Sequence, residues 1–255
     1  VSRGEEAARR FVLEARAISN FKSPHTVTIH DFGVAPEGFL YFVMELLEGR
    51  SLDVILNQGR PIGVHRSGRI ILQACHSLAE AHAHRVWHRD IKPGNVFVTR
   101  TREGDEHAKV LDFGVAKYAD LSDELTTPGV VIGTAGYLSP EQAMGEEVDG
   151  RADVYSLGVL TYEMLTGQRL FTGKGTALLL KQIKERPVPL RERIPGAGIP
   201  VGVERAVMKA LEKPASRRWQ TIEDMAEALA APLGGVEGAP LITPPGELPA
   251  PPPVP

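Results

Sequence analysis

The sequence lacks several features that would each point to a particular class of protein. It has one cysteine among 255 residues, which excludes an internal disulfide framework and is typical of a reducing compartment. No run approaches the ~20 apolar residues of a membrane-spanning helix, and the first ten residues lack a signal-peptide core. The formal net charge is only −3, so neither nucleic acid nor an anionic membrane is indicated as a partner.

The composition is that of an ordinary globular chain. Hydrophobic residues make up 42% and charged residues 24%. The length of 255 residues is enough for one large domain or two small ones that share a core. The single cysteine, Cys75, lies in an apolar helical pattern, so we interpret it as a small core residue.

The first 47 residues predict one helix and two strands. Residues 5–20 are good helix formers and place Phe11, Ala15 and Ile18 on one face. Apolar and polar residues alternate over 25–33, which predicts a strand. Residues 39–49 are aromatic and apolar throughout, which predicts a second strand buried on both faces.

The remainder is predicted to be mainly helical. A short helix over 51–59 is followed by a long amphipathic helix over 67–85, whose apolar stripe is Ile70, Ala74, Leu78 and Ala81. A hairpin is predicted over 95–114, and an extended segment of weak periodicity over 115–150. Further helices are predicted over 152–167, 175–186, 201–213 and 221–231.

Two local signals mark the later part of the chain. Thr221 with Asp224 three residues later is a capping-box pattern at the start of the last helix. Half of residues 240–255 are proline, which excludes a helix or a sheet interior and predicts a linker, disordered over 233–255.

His82 and His84 lie two apart and point to different sides of a helix, so we interpret them as ordinary helix surface and cap.

The stretch WHRDIKPGNVFV, residues 87–98, places polar residues in a loop between apolar flanks. Asp90 can accept a proton, Lys92 is a compact cation, and Asn95 and Asp112 offer the oxygen ligands that magnesium prefers. Phosphoryl transfer requires such a set, because a hydroxyl must be oriented and the charge of the phosphate must be neutralised.

These segments together resemble the protein kinase family. HRDIKPGN fits the H-R-D-x-x-x-x-N pattern of its catalytic loop, and DFG follows across a predicted hairpin. GTAGYLSPE resembles the end of an activation segment, DVYSLGVLTYEMLTG the central buried helix, and RRWQT the segment with a late arginine, Arg218. The matches run in family order over residues 5–231. The residues of these motifs are most similar to the bacterial, Hanks-type branch of the eukaryotic-type serine/threonine protein kinases.

The resemblance implies roles for the polar residues. Asp90 would orient the substrate hydroxyl and accept its proton, and Lys92 would stabilise the transferring phosphate. Asn95 and Asp112 would hold the metal ions. Further roles that the resemblance implies are a hydrophobic column of His88 and Phe113 with Ile18 and Ile29, a backbone anchor at Asp153, and a buried ion pair between Glu141 and Arg218.

The resemblance also implies residues for nucleotide binding, regulation and substrate choice. For the nucleotide these are a gatekeeper at Met44, adenine contacts from the backbone of Glu45 and Leu47, and a lysine-pairing glutamate at Glu14. Thr126 and Thr127 would be phosphorylated and pair with Arg89. Thr134 would lie beside Asp90 and favour Ser or Thr substrates.

One part of the family pattern is absent. No G-x-G-x-x-G loop and no ATP-contacting lysine on a V-A-I-K strand precede Glu14. Two explanations compete: N-terminal truncation of a longer kinase, which we expect, or a pseudokinase that acts as a scaffold or allosteric module. In either case we expect the 255 residues alone to bind ATP poorly and to show little activity.

The resemblance implies an α+β, two-lobed protein-kinase-like fold with an incomplete small β-rich lobe and a complete, mainly helical large lobe. The expected domains are a partial small lobe over 1–47, the large lobe over 48–232, and the linker. The expected cofactors are ATP and Mg²⁺, with Mn²⁺ as an alternative. The expected partners are proteins with Ser or Thr, and optionally a second copy for trans-autophosphorylation. The expected location is cytoplasmic, with membrane anchoring beyond the linker left open.

Overall fold

A computed structural model describes residues 12–13, 15–35, 39–101, 103–113 and 135–234. These residues form a mixed α+β structure with a small antiparallel sheet at one end of the sequence and a larger, mainly helical part after it. The α+β class predicted from the sequence is confirmed. Within these ranges no helix combines the length and the apolar character that a bilayer crossing requires.

The small sheet consists of two antiparallel strands, β1 (Ile29–Val34) and β2 (Leu40–Met44). Phe32 and Phe42 lie opposite each other in this pair and pack against the main core. The remaining β2 residues are exposed, so the prediction of a strand buried on both faces is wrong. Within the described residues β2 pairs with β1 alone, and its outer face is uncovered.

A second sheet has the order β3 (Gly49–Ser51), β4 (Val96–Arg100) and β5 (Glu106–Val110), all antiparallel. The predicted hairpin is confirmed as β4 and β5, with Val96 directly opposite Val110. A parallel bridge between Thr26 and Val110 joins this sheet to the chain segment that precedes β1. The open end of the hairpin therefore lies at the junction of the small sheet and the helical part.

The helical part contains eight helices among the described residues after β3. Their bounds are α1 (Leu52–Leu56), α2 (Val64–Ala83), α3 (Pro140–Met144), α4 (Gly150–Thr166), α5 (Gly175–Lys184), α6 (Leu190–Arg193), α7 (Val201–Ala210) and α8 (Ile222–Ala230). Single 3-10 turns occur at Pro93–Asn95, Ala135–Tyr137, Ala215–Arg217 and Ala231–Leu233.

The core lies around α4, almost every residue of which is buried. The predicted stripe of α2 is buried in full, and Cys75 on the same helix is buried as expected. Helix α4 ends at Gly167, whose φ of 67° is a left-handed conformation that favours glycine. A Cβ at that position would lie 2.8 Å from the backbone nitrogen of Pro61, so the chain packs closely there.

Helix α3 lies where the sequence predicted an extended segment over 115–150. Ser139 is its N-cap and forms a capping box with Gln142, while Pro140 occupies the first helical position. This local signal is present in the sequence and is sufficient to start a short helix. Strand β3 and helix α6 were also not predicted, because each is only three or four residues long.

The N-terminal helix is described only in part. Residues 12–13 and 15–18 are helical, and Ala15 and Ile18 of the predicted face are buried. Phe11, the third member of that face, and Glu14 lie outside the described residues. Residues 235–255, which include most of the predicted linker, also lie outside them.

Candidate active site

The loop between α2 and β4 is anchored by one buried carboxylate. The two oxygens of Asp153, near the start of α4, accept the backbone N–H of His88 at 2.8 Å and that of Arg89 at 2.7 Å. Arg89 has a φ of 61°, a left-handed conformation that is strained for an arginine. Asp153 therefore holds the backbone in a shape it would not adopt alone, as the sequence analysis expected.

Asp153 has a further partner that the sequence analysis missed. His82 Nε2 lies 2.8 Å from Asp153 Oδ2, so His82 is not the ordinary helix surface that we expected. Burial alone would raise the pKa of Asp153, but the bonds from His82 and from the His88 backbone lower it below its usual value. The anchor is thus an ionised carboxylate whose lone pairs are satisfied.

Asp90 lies at the centre of a short-range polar cluster. Lys92 Nζ is 2.7 Å from Asp90 Oδ2, and Asn95 Nδ2 donates to the Asp90 carbonyl at 2.9 Å and to Oδ2 at 3.2 Å. Asp90 and Asn95 are largely buried, whereas Lys92 is partly exposed. The structure thus brings together the three residues that the sequence predicted as catalytic.

Asp112 lies at the same end of the β4–β5 hairpin as Asn95. Because Val96 pairs with Val110, the residues on either side of this pair are adjacent, and the Leu111 N–H donates to the Asn95 carbonyl at 2.9 Å. Asp112 follows directly, with an exposed side chain and a left-handed φ of 48°. The hairpin register therefore places the two predicted metal ligands next to one another.

His88 joins the Asp90 loop to the Asp112 loop. Its Nδ1 accepts the Asp90 backbone N–H at 3.3 Å, and its Nε2 donates to the Leu111 carbonyl at 2.8 Å. Burial lowers the pKa of His88, which keeps the ring neutral as this pair of bonds requires. The ring also packs on Phe113, with 4.8 Å between centroids. The packing was expected from the sequence, whereas the polar bridge was not.

The donor set suits magnesium with a nucleotide phosphate. Asn95 Nδ2 donates to Asp90, so the amide oxygen Oδ1 is the atom of Asn95 that could bind a metal together with the Asp112 carboxylate. Magnesium is usually bound by one or two such protein oxygens together with substrate phosphates and water. In the described ranges no group of three or more His, Cys, Asp or Glu could hold a metal, so phosphate oxygens would have to complete the shell.

The segment predicted to bind adenine begins at Met44, the last residue of β2, and continues with Glu45 and Leu47. The Glu45 N–H donates to the Thr28 carbonyl at 3.0 Å, which ties this segment to the start of β1. The Glu45 side chain is 2.7 Å from Lys109 Nζ on β5, a contact across the junction that the sequence did not indicate. Met44 is 40% exposed, so its side chain is open to a ligand.

The predicted ion pair between Glu141 and Arg218 is present and buried. Both terminal nitrogens of Arg218 donate to the Glu141 carboxylate at 2.7 Å, and Arg218 also donates to three backbone carbonyls. Burial would raise the pKa of Glu141, but Arg218 lowers it below its usual value. This pair connects α3 to the turn before α8 and fixes the segment that follows residues 114–134.

Four predicted site residues cannot be placed. Glu14, Thr126, Thr127 and Thr134 lie outside the described residues, so their roles stay predictions.

Comparison with known proteins gives a consistent result. The family model for the protein kinase domain matches residues 2–230. The serine/threonine-protein kinase pkn3 of Myxococcus xanthus is 39% identical over 238 residues, which cover 91% of this chain and 43% of pkn3. PknB of Mycolicibacterium smegmatis is 41% identical over 221 residues, which cover 85% of this chain and 34% of PknB. The chain thus spans less than half the length of these relatives.

Solved structures show the same fold at lower identity. The kinase domain of PknI from Mycobacterium tuberculosis superposes with a TM-score of 0.68 at 22% identity, covering 89% of this chain and 79% of that one. The Rad53 kinase domain superposes with a TM-score of 0.65 at 23% identity, covering 86% of this chain and 76% of that one. The similarity in shape therefore extends over both the small sheet and the helical part.

Proposed function

The chain belongs to the protein kinase family, and from that premise we propose that the protein transfers the γ-phosphate of ATP to Ser and Thr hydroxyls of proteins. The observation that carries this proposal is the cluster of Asp90, Lys92 and Asn95 beside Asp112. The bacterial relatives that share about two fifths of its residues are named serine/threonine-protein kinases, which supports the choice of acceptor.

In this proposal Asp90 orients the incoming hydroxyl and accepts its proton. Lys92, now 2.7 Å from Asp90, can reach both that carboxylate and a phosphate oxygen placed beside it. Asn95 and Asp112 would hold Mg²⁺, with Mn²⁺ as an alternative. When bound with ATP, the metal would offset the negative charge of the phosphates.

The remaining predicted residues also have proposed roles. Met44 would border the adenine pocket, and the backbone of Glu45 and Leu47 would bind the base. Glu14 would pair with the ATP-contacting lysine. The finer proposals for the undescribed segment are phosphorylation at Thr126 and Thr127 and a substrate contact at Thr134.

The domain division is proposed as residues 1–47 for the small-lobe part, 48–232 for the large lobe and 233–255 for the linker. These 255 residues contain neither a G-x-G-x-x-G loop nor a V-A-I-K lysine. The alternative is a pseudokinase that binds partners without transferring phosphate. The cluster around Asp90 favours phosphate transfer over this alternative, because a scaffold would not need it.

The test compares Asp90→Asn with Asp105→Asn, an exposed control on the hairpin turn. Both are made in the protein expressed from its complete coding sequence, because we expect the 255 residues alone to show little activity. We expect phosphorylation of a protein substrate to fall at least 100-fold in Asp90→Asn and to stay unchanged in Asp105→Asn. Asp112→Asn should weaken Mg²⁺-dependent nucleotide binding.

Two outcomes would contradict the proposal. An Asp90→Asn protein as active as the unaltered one would remove the assigned base. A complete protein that binds protein partners but shows no ATP- and Mg²⁺-dependent transfer would select the pseudokinase alternative.

A further inference from the structure

A chain of buried polar groups runs from the end of α7 to the turn Ala135–Tyr137. Lys213 Nζ donates to the Tyr155 hydroxyl at 2.8 Å, and that hydroxyl donates to Gln182 Oε1 at 2.7 Å. Gln182 Nε2 in turn donates to the Gly136 carbonyl. Tyr155 and Gln182 have no exposed surface, so water cannot replace either partner.

We propose that Gln182, oriented by Tyr155 and Lys213, is a positioning residue that sets the turn Ala135–Tyr137 for the peptide substrate. The inference rests on the proposed function, because it assigns a purpose to the turn rather than a new reaction. The turn lies directly after Thr134, the proposed substrate contact, and belongs to GTAGYLSPE, the stretch that resembles the end of a kinase activation segment.

The amide of Gln182 can face only one way. Its Oε1 must accept from Tyr155, so its Nε2 must point at Gly136. Lys213 Nζ also donates to the Gln182 backbone carbonyl at 2.7 Å, so both ends of this residue are held. A movement of α5 relative to α4 would therefore reach Gly136 through the side chain of Gln182.

Lys213 is not an incidental surface lysine. Burial, together with the nearby Arg218, lowers its pKa to about 8. Its ammonium lies 4.7 Å from the centre of the Phe171 ring. A buried charge is disfavoured unless it is hydrogen-bonded, and the hydrogen-bond partners of Lys213 are Tyr155 and Gln182.

Other contacts of the turn come from α4 and are independent of this chain. Ser156 Oγ donates to the Tyr137 carbonyl at 2.8 Å, and the Tyr137 hydroxyl donates to Glu163 at 2.5 Å. Loss of the Gln182 contact should therefore loosen Gly136 while Tyr137 stays attached. This separation makes the inference testable without unfolding the protein.

The first experiment compares Tyr155→Phe with Tyr162→Phe by hydrogen exchange. Both tyrosines are buried on α4, and each variant loses one hydroxyl, but the Tyr162 hydroxyl donates to the Val188 carbonyl, outside the chain of groups. In Tyr155→Phe we expect exchange at residues 135–137 to rise about 10-fold. In Tyr162→Phe we expect exchange there to stay unchanged.

The second experiment measures KM in the protein from the complete coding sequence. Gln182→Leu removes the donor to Gly136 at similar volume, and we expect the KM for a peptide substrate to rise about 10-fold with the KM for ATP unchanged. Lys213→Met should raise the KM for the peptide substrate by a smaller factor. Lys213→Arg should keep that KM near its unaltered value, since arginine retains a cationic donor at this position. Lys181→Met, at a half-exposed site on α5, should change neither KM.

Each result decides the inference. Equal exchange at residues 135–137 in Tyr155→Phe and Tyr162→Phe would overturn it, as would a Gln182→Leu protein in which both KM values rise together. If the unaltered protein transfers no phosphate, the proposed function fails, and the exchange comparison alone decides whether Gln182 positions the turn.

Discussion

The carboxylate of Asp153 and the backbone of Arg89 are joined by a 2.7 Å hydrogen bond between residues 64 positions apart. The same carboxylate bonds the neighbouring His88 N–H and the ring of His82. A side chain on the central helix thereby determines the path of the loop that carries Asp90. The geometry of the proposed active site thus depends on an acceptor that touches none of its reacting groups.

Asp153→Asn should destabilise the protein and loosen this loop. An amide has one acceptor oxygen and turns an NH₂ group toward one of the backbone N–H donors, so a buried donor loses its partner. We expect a loss of about 3 kcal/mol in the free energy of unfolding, measured by denaturant titration. Exchange at residues 88–90 should rise as well. Asp224→Asn, in the exposed capping box of α8, is the control and should cost less than about 1 kcal/mol.

Arg218→Met should be among the most damaging single changes in the helical part. It would leave the Glu141 carboxylate buried without its cation, at an expected cost of about 3–5 kcal/mol. The double variant Glu141→Gln with Arg218→Met should be less destabilised than the sum of the two single variants, because no uncompensated charge is left. Strict additivity in this double-mutant cycle would contradict the coupling that the structure shows.

His25 should make stability fall in mild acid. Burial lowers its pKa from 6.5 to about 4, and it is flanked by His107, His76 and Lys109. Between these pH values the unfolded chain binds a proton that the folded one does not. Stability is therefore complete above pH 6.5 and falls as the pH drops toward 4, by roughly 2–3 kcal/mol from this residue.

His25→Asn tests this assignment directly. The asparagine amide can still donate to the Ala108 carbonyl, as His25 Nδ1 does at 2.9 Å, but it cannot take up a proton. The dependence of unfolding free energy on pH between 6.5 and 4 should become flatter. His30→Asn, at an exposed position, should leave the profile unchanged. An unaltered slope in His25→Asn would show that other groups cause the acid sensitivity.

Cys75 should not react with thiol reagents in the native state. It is fully buried on α2, and burial raises the pKa of its thiol well above the usual range, so little thiolate forms. Because it is the sole cysteine of the chain, its labelling rate should equal the rate of unfolding of this core. Ser216→Cys, at an exposed position, should be labelled within the mixing time. Rapid labelling of Cys75 would show that α2 opens locally.

Local patterns in the sequence predicted much of the helical part. The stripe of α2 and the capping box of α8 depend on spacings of three or four residues, and both are observed. The cluster of Asp90, Lys92 and Asn95, to which we assign catalysis, was also predictable, because the three lie within six consecutive residues. Residues so close in a loop cannot move far apart.

Contacts between distant residues were harder to predict. Whether β2 is buried depends on what covers it, and an apolar strand has the same sequence when its outer face is open. His82 reaches Asp153, 71 positions away, and nothing in the spacing of His82 and His84 indicates that contact. The short helix α3 is a different case, since its Ser139 and Gln142 capping box was legible in the sequence.

The β4–β5 hairpin also offers a practical handle. The turn that follows β4 begins at Thr101, one five-residue strand, about 17 Å, from Asn95 at the other end. Glu103 in that turn is exposed, whereas Cys75 is buried. A fluorophore attached through Glu103→Cys would therefore label one site only, at a distance suited to energy transfer with a fluorescent nucleotide bound at the proposed site.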